Sequence, residues 1–106
     1  VENGRVYTKV KDESPAKYNE EAEVKNSIVA DGCIIEGTVI DSVLFRGVTV
    51  KRDSVIKNSI VMQGSVIEEG VNIKHLIVDK NVRITKGISL QGTDTFPVII
   101  SKNTVV

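Results

Sequence analysis

The chain is poor in aromatic rings, in cysteine, in surplus charge of either sign and in long apolar runs. Tryptophan is absent, and Phe and Tyr together make up 4% of the 106 residues. Aromatic side chains dominate the interiors of most sandwiches and barrels, so a core built without them is narrow and layered. The single cysteine, Cys33, excludes an intramolecular disulfide and fits a reducing compartment. Fourteen basic residues balance 14 acidic ones, with no basic cluster. Nucleic-acid binding, which rests on phosphate neutralisation by Lys and Arg, loses its basis. So does attraction to an anionic membrane surface. No apolar run approaches the roughly 18 residues of a membrane span, and the polar start predicts no secretory leader. The expectation is one soluble cytoplasmic domain, large enough for a modest core and too small for two.

Helix-favouring apolar residues are scarce as well. Three Leu and three Ala stand against 18 Val and 13 Ile. β-Branched side chains fit the pleated surface of a sheet, so the composition predicts an all-β chain.

Those residues recur with a period. Asn26-Ser27-Ile28-Val29, Asp41-Ser42-Val43-Leu44, Asn58-Ser59-Ile60-Val61 and His75-Leu76-Ile77-Val78 align at spacings of 15, 17 and 17 residues. Between them a shorter unit repeats: a turn residue, a small or apolar residue, any residue, then an aliphatic, as in Gly64-Ser65-Val66-Ile67 and Gly70-Val71-Asn72-Ile73. Three columns result: Val50, Ile67 and Ile84; Ile56, Ile73 and Leu90; Leu44, Val61 and Val78. Residues two apart point to one side of a strand. Three short strands per turn, each opened by a Gly, Asn, Asp or His corner, describe a triangular solenoid of about three to four coils. An antiparallel meander would have to match three columns in register by chance. The first coil is two residues short, its third strand being Gly37/Val39. Cys33 falls at a small inward position, where a filler role competes with a reactive-thiol role.

Three segments are expected: residues 1–23 as a leading strand and linker, with Val6–Val10 extended; 24–91 as the solenoid; and 92–106 as an end strand, Val98-Ile99-Ile100, covering the open last coil, plus a tail. The ragged polar start without an initiating methionine reads as the tail of a longer protein.

The repeats resemble the hexapeptide left-handed parallel β-helix, and the handedness is taken from that resemblance. More specifically, Val6-Tyr7-Thr8, Pro15-Ala16-Lys17-Tyr18, the run Asn26 to Gly37, Ser42-Val43-Leu44-Phe45-Arg46-Gly47-Val48 and Lys57 to Gln63 are similar to the C-terminal region of bacterial glucose-1-phosphate adenylyltransferases. The stretch from Gly92 through Pro97-Val98-Ile99-Ile100 to Lys102 looks more like the D-type (GlgD) subunit than the catalytic C-type. Ser14 departs from the two prolines that relatives often carry before this point. The resemblance implies a parent whose N-terminal nucleotidyltransferase domain makes ADP-glucose from ATP and glucose 1-phosphate with Mg2+ for glycogen synthesis. It implies a β-helix that serves tetramer assembly, with itself or with C-type subunits, and allosteric control.

The residues carry no chemistry of their own to match that parent. Glycines are scattered one per corner, with no phosphate-binding loop, so this region is expected to be inactive alone and to hold no cofactor. A hexapeptide acyltransferase would need a histidine base, and His75 is the only histidine. Its place in the Asp41/Asn58 corner column reads as a turn residue. A single imidazole excludes a multi-histidine metal site. An anionic sugar-phosphate effector calls for converging cations; Lys9, Lys11, Lys17, Arg46, Lys51 and Arg52 are available, and Arg46 and Arg52 are the candidates, guanidinium being best suited to oxyanions. Finally, Ile28, Val43, Ile60 and Ile77 lie between inward positions and therefore face out, forming one apolar strip. Such strips are seldom left wet, which makes these four the candidate interface, unless they are simply good strand formers.

Overall fold

The computed structural model describes residues 15–106, so the expected strand at Val6–Val10, together with Lys9 and Lys11, lies outside the described residues. The regular elements are strands of two or three residues, wound in successive coils. The lowest coil is β1 (Lys17–Tyr18), β2 (Glu23–Lys25) and β3 (Ile28–Val29). Next come β4 (Ile34–Ile35), β5 (Thr38–Ile40) and β6 (Val43–Leu44), then β7 (Thr49–Val50), β8 (Val55–Lys57) and β9 (Ile60–Val61). Above them lie β10 (Val66–Ile67), β11 (Asn72–Lys74) and β12 (Leu76–Val78), and finally β13 (Arg83–Ile84), β14 (Ser89–Gln91) and β15 (Val98–Ile100).

Every third strand pairs in parallel, giving three five-stranded sheets: β1-β4-β7-β10-β13, β2-β5-β8-β11-β14 and β3-β6-β9-β12-β15. These are the first, second and third faces of a triangular prism. The chain makes four complete turns from β1 to β13 and then adds two more faces. This is a parallel β-helix of the left-handed hexapeptide kind.

The anticipated columns are the core. Ile35, Val50, Ile67 and Ile84 stack on the first face, Val39, Ile56 and Ile73 on the second, and Leu44, Val61 and Val78 on the third, all at 0% exposure. Each buried aliphatic contributes about 1.5–3 kcal/mol of transfer free energy. At the open ends Val24, Val29 and Leu90 are only partly covered.

Corners turn where the chain enters the left-handed region. Asn26, Asp41, Asn58 and His75 take φ of 49°, 50°, 48° and 55° between the second and third faces. Gly32, Gly47, Gly64, Asn81 and Asn103 do so between the third and first. Asn, Asp and Gly tolerate that region, whereas β-branched residues do not, and no Val or Ile stands at these positions.

Beside the first of these corners runs a hydroxyl ladder. Ser42 Oγ donates to the Ile40 carbonyl at 2.8 Å and accepts the Ser59 N–H at 3.1 Å. Ser59 Oγ repeats this with Lys57 and Leu76 at 2.8 and 3.1 Å. Each hydroxyl thus satisfies a donor and an acceptor that a turn of this tightness would otherwise leave buried and unpaired.

The short coil, expected as the first, is the second, β4 to β6, because β1 to β3 already form a coil beneath it; its shortness has a local cause. Elsewhere four residues join the first face to the second, as in Lys51–Ser54; here Glu36 and Gly37 alone do so. Gly37 lies directly under that longer turn: a Cβ on it would meet the Ser54 carbonyl oxygen at 2.6 Å and the Lys51 carbonyl oxygen at 2.9 Å. Glycine is required for close approach.

Strand pairing begins at Lys17 and continues beyond Leu90. Val98–Ile100 does not lie across the open coil as an end cover; it is the fifth strand of the third face, with Ile99 opposite Ile77 and Ile100 opposite Val78. The inserted residues Gly92–Pro97 bulge out at the corner where other coils use one or two residues, and the chain returns to register after them. Ser101–Val106 then resumes the corner pattern, with Asn103 at φ 61° and Val105 bridged in parallel to Arg83.

Candidate interaction face

The third face carries its outward residues in strict register. Ile28 pairs with Val43, Val43 with Ile60, Ile60 with Ile77, and Ile77 with Ile99. Ile28 and Ile99 are 67% exposed and Ile60 37%. Strands in a sheet lie about 4.8 Å apart, so the five aliphatics form a strip about 19 Å long. Val43 and Ile77 are half-buried.

Two features of this face escaped the sequence reading. Ile99 extends the strip by a fifth rung, hidden because the Gly92–Pro97 insertion breaks the seventeen-residue spacing. A second column lies two residues further along each strand: Ala30, Phe45 and Met62, of which Phe45 is 45% exposed. The period-two rule applied to the first outward column could have found it. Neither other face offers an equivalent. Lys17, Ile34, Thr49, Val66 and Arg83 align on the first, and Glu23, Thr38, Val55, Asn72 and Ser89 on the second.

A shallow groove follows the leading edge of the strip. Its lower part, about 460 Å³, lies over Asn26, Ile28 and Val43. Its upper part, about 390 Å³, runs past Ile60 and Ile77 and ends at Thr93, Asp94 and Pro97. The inserted loop closes the groove as a knob. The Thr93 N–H donates to the Phe96 carbonyl at 3.1 Å, and the Phe96 N–H returns to Thr93 Oγ1 at 3.1 Å. Phe96 stands 78% exposed at its tip.

The other candidate residues separate. Arg46, with Lys17, Asp31 and Gln63, lines an open depression of about 520 Å³ on the corner between the third and first faces. Arg52 lies on the next corner, in a different depression of about 370 Å³ shared with Asp53, Glu69 and Lys86. The fold does not bring the two guanidinium groups together, because one whole face lies between their corners. Lys51 Nζ is 3.9 Å from Glu68, which also takes Arg83 at 2.5 Å.

His75 is a corner residue in the left-handed region, its Nε2 3.1 Å from Asp94 Oδ1 in the inserted loop. Cys33 is buried, its Sγ 3.1 Å from the Phe45 carbonyl, and burial pushes its thiol above the ordinary value. A thiol held protonated is a poor nucleophile, so its environment is that of a core filler. Among the described residues no three His, Cys, Asp or Glu side chains come together to hold a metal ion. Among them, too, no helix is long and apolar enough to cross a membrane.

A prism of short parallel strands with one apolar outer face is a hexapeptide-repeat solenoid. The family described as GlmU-like, C-terminal hexapeptide matches residues 11–96. The chain belongs to that family. It is 44% identical over 100 residues to the glycogen biosynthesis protein GlgD of Bacillus subtilis, covering 94% of this chain and 29% of that protein. To the protein of the same name from Geobacillus stearothermophilus it is 48% identical over the same share of each. A glucose-1-phosphate adenylyltransferase of Bacillus mycoides is 41% identical over 85 residues, 80% of this chain and 23% of the relative. The chain thus spans less than a third of the length of the curated relatives it matches.

Proposed function

We propose that this chain is the β-helix domain of a glycogen-biosynthesis protein of the glucose-1-phosphate adenylyltransferase type, D-type subunit, acting in the cytoplasm. Its work is assembly and allosteric regulation. Catalysis belongs to a separate nucleotidyltransferase domain, which would hold ATP and Mg2+ and form ADP-glucose from glucose 1-phosphate. The observation that carries this reading is the third face: five aliphatics in register on a flat exterior, where two otherwise similar faces are polar or mixed. A sheet face of that kind is built to be covered. Its partners on this reading are the nucleotidyltransferase domain, a C-type catalytic subunit, or a second copy in a tetramer. A sugar-phosphate effector remains the role proposed for Arg46 and Arg52. As they occupy separate corners, each would work with cations from another subunit or domain.

The test is Ile60→Lys in the full-length gene product. Ile60 points outward, so the fold should survive, shown by an unchanged circular dichroism spectrum. The oligomer measured by light scattering should dissociate, and any effector response of ADP-glucose formation should weaken. An unchanged assembly would refute the interface role.

A further inference from the structure

Resting on that reading of the third face as an interface, we infer that its occupant is a second copy of this same face, packed antiparallel about a two-fold axis through Ile60. The strip is symmetric about that residue. Two rungs lie below it, Val43 and Ile28, and two above, Ile77 and Ile99, with the terminal pair equally exposed at 67%. Turning a copy over about an axis along the strands sets Ile60 against Ile60, Val43 against Ile77 and Ile28 against Ile99.

The same operation keeps the leading edge of one copy over the leading edge of the other. The knob bearing Phe96, at the top of that edge, then meets the lower groove over Asn26 and Ile28, at its bottom. Each copy supplies one knob and one groove, as an isologous contact requires. The edge charges agree in part: His75 comes opposite Asp41, and on the trailing edge Asp31 comes opposite Lys102, while Arg46 comes opposite Lys80, a like-charged rim pair that weakens the association. The face offers on the order of 500 Å² per copy, the lower limit for a specific pair, so the association is concentration-dependent.

The experiment uses this chain in two arms. Light scattering over a dilution series should show the mass rising from one copy toward two. Ile60→Lys should hold it at one copy, while Ile34→Lys on the first face leaves the rise unchanged. The second arm fixes orientation. Packed sheets lie about 10 Å apart, so a bis-maleimide of about that reach joins thiols facing each other across the axis. Ile60→Cys should cross-link to itself at least tenfold faster than Ile28→Cys does, and Ile28→Cys should cross-link to Ile99→Cys when the two are mixed. Buried Cys33 is the unreactive background.

A chain that stays monomeric at every concentration overturns the inference, as does a dimer indifferent to Ile60→Lys. Ready self-linking of Ile28→Cys overturns the antiparallel arrangement. If the chain is monomeric yet Ile60→Lys disrupts the full-length assembly, the face is an interface to another domain: the self-pairing fails and the functional reading stands. If the substitution alters neither, both fail.

Discussion

Replacing Gly37 by alanine tests whether the short second coil depends on contact and not on backbone conformation. Gly37 does not lie among the positive-φ glycines, so alanine meets no left-handed strain there. It meets the coil above instead. The added Cβ would stand 2.6 Å from the Ser54 carbonyl oxygen, 2.7 Å from Ser54 Oγ and 2.9 Å from the Lys51 carbonyl oxygen. Two of these atoms are backbone and cannot swing away. Relieving the overlap means parting the second and third coils by several tenths of an ångström. That strains the Thr38 N–H to Ser54 carbonyl bond, now 2.9 Å, and the bond from Ser54 Oγ to the Lys51 carbonyl. Overpacking costs about 1–3 kcal/mol, and a weakened buried hydrogen bond about 1 more, giving about 2–4 kcal/mol in all. For a domain of this size that is a fall in Tm of about 10–25 °C, measurable by thermal or urea unfolding. Gly87→Ala is the contrasting case. Nothing lies within 4 Å of its Cβ position, but its φ of 78° imposes a backbone penalty of about 1–2 kcal/mol. Replacing Glu36-Gly37 with a four-residue turn copied from Lys51–Ser54 should remove the need for glycine at this point. A Gly37→Ala protein within about 0.5 kcal/mol of the parent would refute the packing argument.

Three further outcomes follow from the same geometry. Ile67→Asp places a carboxylate on the fully buried axis with no cation to meet it, so the chain should be unfolded by circular dichroism at 25 °C; a folded variant would show that the axis admits water. Cys33 ionises at its ordinary 9.0 in the unfolded chain but higher in the folded one, because burial opposes the thiolate. Its ionisation therefore favours unfolding: stability is whole below pH 9 and falls as pH rises past it, by at most about 1.4 kcal/mol per pH unit, and Cys33→Val should flatten that part of the urea-midpoint profile. His75→Asn should stay within about 0.5 kcal/mol, since Asn58 holds the same corner at φ 48°, whereas His75→Val should cost about 1–2 kcal/mol through left-handed strain; equal effects would detach the corner from its φ.

The fold was legible in the sequence because a solenoid writes its tertiary contacts into a period. Val50, Ile67 and Ile84 occupy one column because each repeats the environment of the residue seventeen places before it. The corner residues are similarly exposed to view: Asn26, Asp41 and Asn58 are chosen for a backbone region that few side chains enter. What escaped notice was whatever shifted the count. Gly92–Pro97 displaces Ile99 from its expected place, and Ser101–Val106 follows it out of register. Yet the latter segment follows the pattern of Asp79–Ile84: a turn residue, Lys and Asn, with Thr104 and Val106 at the places of Val82 and Ile84. Seen without the insertion, the end strand is one more coil face and not a cover.

The candidate site was legible to the same degree and for the same reason. Facing direction follows from alternation, so four of the five strip residues could be named. Convergence of side chains from different corners does not follow from alternation. In a triangular solenoid, residues six apart such as Arg46 and Arg52 sit on successive corners and diverge, whereas residues about 17 apart stack. Two cations read as neighbours in the sequence are therefore separated by a face, while Lys57 and Lys74, far apart in the chain, are paired across adjacent coils. A cation pair on this scaffold is to be sought at the repeat spacing. On the third face the register stacks Lys80 with Lys102 on the trailing edge, outside the apolar column, whose own five rungs carry no charge.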